Sequence, residues 1–71
     1  GNGDFEMIFE PGKFPFGYKR GKFVMLFNPL GKDSEIEINA KGAKKVYEIG
    51  TTEVADNKVK MSAQSFAMLE F

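Results

Sequence analysis

The sequence predicts an all-β domain, a single small antiparallel β-sandwich of about seven strands. Three observations predict it. Apolar residues recur with period two or in one run of five, no stretch carries the 3.6-residue period of a helix, and Pro, Gly, Asn or Asp separate the segments.

Taken in order, Asp4 to Glu10 alternates, with Phe5, Met7 and Phe9 on one face, and Pro11-Gly12 breaks it. Phe14, Phe16 and Tyr18 alternate next around Pro15 and Gly17, residues that mark an edge strand or a bulge. Phe23 to Phe27 is continuously apolar, too short for a helix, and bounded by Gly21 and Pro29. That pattern predicts a central strand covered on both faces. A turn at Asn28-Pro29-Leu30-Gly31 leads into Ser34 to Ala40, where Ile36, Ile38 and Ala40 point inward and Glu35, Glu37 and Asn39 outward. After Lys41-Gly42, Lys45 to Ile49 forms a further strand. A hairpin follows: Thr52 to Ala55 rises, Asp56-Asn57 turns, and Lys58 to Met61 returns. Ser62 to Ser65 connects to the last strand, Phe66 to Phe71.

Bulk properties restrict what such a domain does. A chain of 71 residues makes one domain and buries only roughly 60% of the surface its unfolded form exposes. With no cysteine it has no disulfide or thiolate metal site, and with no histidine it lacks the commonest metal ligand and general base. Apolar packing must carry the fold, and eight phenylalanines supply material for it. Ten basic residues balance ten acidic ones. This argues against nucleic acid and against an anionic membrane surface as partners. It also favours self-association of an isolated copy. The start at Gly1-Asn2-Gly3, without an initiator methionine, reads as a cut, so residues 1–71 are expected to be a fragment of a larger protein.

No catalytic constellation emerges, and no cofactor is expected. Glu35 and Glu37 lie two apart on one strand face, about 7 Å by the strand rise, a separation that glycosidase carboxylates also use. Alternating glutamates opposite an isoleucine row are nevertheless the ordinary form of a solvated strand face. Ser34, Ser62 and Ser65 have no histidine to activate them. Asp33 and Asp56 do not follow a calcium-loop spacing, and no glycine-rich phosphate loop is present. The aromatic stripe Phe14, Phe16, Tyr18 is the candidate binding feature. Three roles are open to it: completing the core, meeting a neighbouring domain, or stacking on sugar rings. The neighbouring Lys19, Arg20 and Lys22 read as charges that keep an edge soluble.

Phe16-Gly17-Tyr18-Lys19-Arg20-Gly21-Lys22 leads into an apolar strand, then Asn28-Pro29, the amphipathic strand Glu35 to Asn39, Val46-Tyr47-Glu48-Ile49-Gly50, and a final serine followed by an apolar strand, Ser65 to Phe71. This order resembles the C-terminal β-sandwich domain that follows the catalytic barrel in alpha-amylase-type glycoside hydrolases. Similar terminal domains follow the barrels of alpha-galactosidases and some beta-galactosidases. The resemblance implies a non-catalytic accessory domain that packs against and stabilises a barrel in the same parent chain, and in some cases binds carbohydrate at a secondary site. The alternatives are an autonomous carbohydrate-binding module using Phe14, Phe16 and Tyr18, or an immunoglobulin-like interaction domain that adds a partner strand at the edge containing Pro15.

Overall fold

The structure, a computed structural model, describes residues 6–7 and 14–71. Their strands are β1 (Glu6–Met7), β2 (Phe16–Arg20), β3 (Phe23–Asn28), β4 (Ser34–Ile36), β5 (Lys44–Ile49), β6 (Thr52–Val54), β7 (Val59–Met61) and β8 (Ser65–Glu70). They form two antiparallel sheets, one of order β1-β2-β3-β8-β5 and one of order β4-β7-β6. The predicted all-β sandwich is therefore the observed fold. Of the expected first strand, Asp4 to Glu10, only Glu6–Met7 is described; the remainder lies outside the described residues.

Period-two patterning places the core. Val24 and Leu26 of β3 and Ala67 and Leu69 of β8 are buried on the inner face of the larger sheet. Ile36, Val59 and Met61 face them from the smaller sheet, and Ala40 completes the cluster from the segment after β4. The alternation expected for Ser34 to Ala40 holds, although the strand ends at Ile36. The hairpin also holds: Val54 pairs with Val59 and the Ala55 N–H donates to the Lys58 carbonyl at 2.9 Å. Gly21 closes the β2–β3 hairpin at φ 60°, a left-handed conformation that costs glycine little.

Two expectations are corrected. The Phe23 to Phe27 strand is central, but only its Val24 and Leu26 row is core. Phe23, Met25 and Phe27 are half-buried because a two-layer sandwich places no third layer over them. The strand containing Tyr18 is not the edge, because β1 pairs with it through Glu6 opposite Lys19 and Met7 opposite Tyr18. Pro15 lies just before β2, and the buried Gly17 stands opposite Leu26.

Three chain crossings between the sheets gather at one end of the sandwich: residues 29–33, 50–51 and 62–64. Asn28, 1% exposed, ties the first to the third. Its Nδ2 donates to the carbonyls of Lys32 at 3.1 Å, Met61 at 3.2 Å and Ser62 at 2.9 Å, and its Oδ1 accepts from the Leu30 N–H at 3.2 Å. The Gln64 N–H donates to the Leu30 carbonyl and the Ala63 N–H to Asp33 Oδ1. Ser62 binds Thr51 reciprocally, its Oγ accepting at 2.9 Å and its N–H donating at 3.0 Å. Gly50 must be glycine here: its φ is 85°, and a Cβ would lie 2.7 Å from Ser62 Oγ and 2.9 Å from Ser65 Cβ.

Two substitutions test this packing in urea unfolding. Leu26→Ala should lower stability by about 2–5 kcal/mol, and Met25→Ala, on the half-open face, by clearly less. Equal losses would contradict the one-sided core. Asn28→Ala should cost about 1–3 kcal/mol by orphaning buried backbone groups. Asn28→Asp should cost more at neutral pH, where a carboxylate faces three carbonyl oxygens, and the difference should shrink in acid.

Candidate functional site

Alternation that sends Val24 and Leu26 inward sends their neighbours outward, and register assembles those neighbours into one surface. Phe16 pairs with Phe27, Phe27 with Phe66, and Phe66 with Ile49; Tyr18 pairs with Met25, Met25 with Met68, and Met68 with Tyr47. The outer face of β2, β3, β8 and β5 is thus a contiguous aromatic and methionine surface.

Three of the ring pairs pack edge to face, as their quadrupoles favour. Phe14 meets Phe16 at 5.7 Å between centroids and 63° between planes, and Phe16 meets Tyr18 at 6.0 Å and 87°. Phe16 stacks on Phe27 at 5.2 Å and 16°, Phe27 reaches Phe66 at 4.9 Å, and Phe66 reaches Tyr47 at 6.0 Å. Tyr18, Met25, Phe27 and Phe66 line a shallow, wholly apolar depression of about 470 Å³. Phe14 is 50% exposed, Tyr47 55% and Ile49 57%, while Phe16 and Tyr18 are half-buried.

The stripe read from sequence therefore stands outside the core. Phe16 and Tyr18 lie on the outer face of β2, and Phe14 precedes the strand. The structure adds Phe27, Phe66 and Tyr47 to the surface. Their strands were legible in the sequence, but the β3–β8–β5 register that unites them is non-local. The ring geometry also separates two of the open roles. A sugar platform presents coplanar ring faces to solvent, whereas Phe14, Phe16 and Tyr18 turn steeply from one another and Phe16 shares a face with Phe27.

The other candidates serve the framework or face solvent. Glu35 is exposed, pairs in register with Lys60 and lies 3.5 Å from Lys58 Nζ; Glu37 is exposed beyond β4. Ser62 holds Thr51, Ser65 is buried opposite Asn28, and Ser34 pairs with Met61 in the smaller sheet. Among the described residues, no group of three or more His, Cys, Asp or Glu side chains is placed to hold a metal ion.

Charge is confined to the margins of the aromatic surface. Lys22 Nζ lies 2.9 Å from Glu70 Oε2 at one end. That hydrogen bond, reinforced by charge attraction, lowers the Glu70 pKa and raises that of Lys22. At the β5 edge, Lys45 Nζ lies 3.1 Å from Glu48 Oε2 and donates to the Thr52 carbonyl at 3.0 Å, while the Thr52 N–H donates to Glu48 at 2.8 Å. The Lys45 hydrogen bond is the main cause holding Glu48 below the ordinary carboxylate range.

Comparison with protein-family models, with curated proteins and with solved structures returned no match.

The carboxylate shifts fix a direction of pH dependence. Glu48 and Glu70 titrate lower when folded than when unfolded, so their contribution is complete above the unfolded carboxylate pKa and is lost as pH falls through the folded values. The urea midpoint should fall on acidification across that window. The double variant Glu48→Gln, Glu70→Gln should show a shallower fall; an unchanged slope would remove both ion pairs from the account.

Proposed function

We propose that this chain is a non-catalytic accessory domain whose larger sheet docks, through its outer face, on the helical outer layer of a neighbouring domain in the same polypeptide. The observation that carries the reading is the uncharged aromatic and methionine surface across β2, β3, β8 and β5. Contiguous apolar surface of this kind on a small domain marks a contact site.

Its size supports a tethered neighbour. Four strands at about 4.8 Å spacing and about five residues at roughly 3.3 Å rise give a flat area on the order of 300 Å². Free association ordinarily needs about 800 Å² per partner, whereas domains joined in one chain hold together with less, roughly 300–750 Å² per side. A helix about 10 Å across, presenting one apolar stripe, matches a face of this width. The outer layer of a (β/α)-barrel is made of such helices. The resemblance to the C-terminal sandwich of alpha-amylase-type glycoside hydrolases supplies the identity of the neighbour, a catalytic barrel that carries its own acid and nucleophile.

Footprinting with hydroxyl radicals tests the docking face. Met25, Tyr47, Phe66 and Met68 should label readily in the isolated chain and be protected in the intact parent polypeptide. Equal labelling would sink the docking role, and a parent without a (β/α)-barrel would sink the glycoside hydrolase assignment. The isolated chain should hydrolyse no glycoside; turnover that disappears in Glu35→Gln or Glu37→Gln would make it an enzyme. Tyr47→Glu with Ile49→Lys should suppress self-association of the isolated domain while shifting its stability by about 0.5 kcal/mol or less, since both positions are exposed.

A further inference from the structure

Five strands packed against three leave part of the larger sheet's inner face beyond the reach of the smaller sheet. On β2 the inner row continues from Gly17, opposite Leu26, to Lys19, opposite Val24. Gly17 is buried, but Lys19 is exposed. The segment after β4 forms the opposite wall, anchored where the Ala40 N–H donates to the Asp56 carbonyl at 2.8 Å. Between them lies a cleft of about 380 Å³, lined by Lys19, Val24, Ile38, Asn39, Lys41 and Phe71.

This cleft differs in kind from two other concave surfaces among the described residues. The depression on the aromatic face holds no polar lining residue other than Tyr18. The groove on the outer face of the smaller sheet is acidic, with Asp33, Glu35 and Glu53 against Lys60, which stands in register between the two glutamates. The inner cleft is lined by two lysines and by no aspartate or glutamate. Neither ammonium group has a hydrogen-bond or ion-pair partner among the described residues. Its floor is Val24, a core residue, and its walls are the half-buried Ile38 and the exposed ring of Phe71.

We propose that this cleft binds a small organic acid, with the apolar body against Val24, Ile38 and Phe71 and the carboxylate between Lys19 and Lys41. Two like charges beside one low-dielectric wall repel each other, and an anion placed between them turns that repulsion into attraction. The apolar wall selects an anion carrying hydrocarbon, because a bare anion leaves Ile38 and Phe71 in contact with water. A volume of this size falls in the range of small-molecule sites. The cleft opens on the inner side of the larger sheet, so it does not depend on the docking role of the outer face.

Amide-detected NMR titration of the 71-residue chain, prepared as its C-terminal amide so that Phe71 contributes no carboxylate to the cleft, with octanoate, octanol and acetate at low millimolar concentration tests the proposal. Octanoate should give saturable shifts centred on Lys19, Gly21, Asn39 and Lys41, with acetate and octanol each binding more weakly. Lys19→Gln and Lys41→Gln should each weaken octanoate about two- to fivefold, the scale of an exposed charge pair, and leave octanol unchanged. Added salt should weaken octanoate alone. Both lysines are exposed, so the variants should keep the wild-type spectrum elsewhere. The proposal is overturned if octanoate and octanol bind equally, if neither lysine variant weakens octanoate, if no shift saturates, or if the shifts centre on Tyr18, Met25, Phe27 and Phe66. The last pattern would mean adsorption to the outer face.

Discussion

The carboxamide of Asn28 is the constraint on which the two-sheet arrangement depends. A sandwich whose chain passes repeatedly between layers must satisfy the backbone polar groups of every crossing, and this chain brings three crossings to one end. Two are held directly by one side chain that spends its donors on Lys32, Met61 and Ser62 and its acceptor on Leu30. The third is joined to them through Ser62 and Thr51. A carboxamide suits this position because it supplies two N–H donors and an acceptor without charge. An aspartate has no donor for carbonyls, and a leucine of similar size would leave all of them unpaired in the interior. Gly50 and Ser65 fit around the same junction, where the absence of a glycine side chain lets the 50–51 crossing approach β8.

Closing one end so tightly determines what the remaining surfaces can do. The interior near Asn28 holds backbone and small polar side chains, Thr52 and Ser65 among them. At the opposite end a single crossing, residues 37–43, returns the chain to the larger sheet, and the interior opens toward Lys19 and Lys41. The two outer faces also differ. The smaller sheet presents Glu35, Lys60 and Glu53 to water, a solvated face of the usual kind. The larger sheet presents rings and thioethers. Patterning of single strands thus produces a molecule with one wet face and one apolar face.

Much of this was legible in the sequence because it is local. The phase of Ile36, Ile38 and Ala40, the Asp56-Asn57 hairpin, and the breakers at Gly21 and Pro29 each depend on a few consecutive residues. The apolar run Phe23 to Phe27 was legible as a central strand, but not in the depth of its two faces. An apolar residue at every position says that neither face prefers water; whether another layer exists to cover the second face is a property of the whole fold. For the same reason alternation alone does not decide whether Phe14, Phe16 and Tyr18 are core or surface; the position of Gly17 opposite Leu26 does. Asn28 and Ser65 stood out only as an asparagine after one strand and a serine before another, and their pairing across β3 and β8 gives those positions their meaning.

The treatment of edge and face in the larger sheet bears on function. Strand β5 is an edge with exposed Val46, Tyr47 and Ile49, a natural template for a stray strand. It is blunted twice, by an irregularity in register between Lys45 and Tyr47 and by the Lys45–Glu48 pair, which occupies inner-facing positions and binds Thr52 of the other sheet. Both are recognised ways of making an edge unattractive. The outer face has no comparable protection: seven side chains from Phe16 to Tyr47, through Tyr18, Met25, Phe27, Phe66 and Met68, carry no formal charge. With equal numbers of acidic and basic residues, net charge does not keep copies apart either. A single lysine at Met25 or Met68 would interrupt the patch without entering the core. A domain that guards its edge and leaves this face apolar fits the docking role proposed for it.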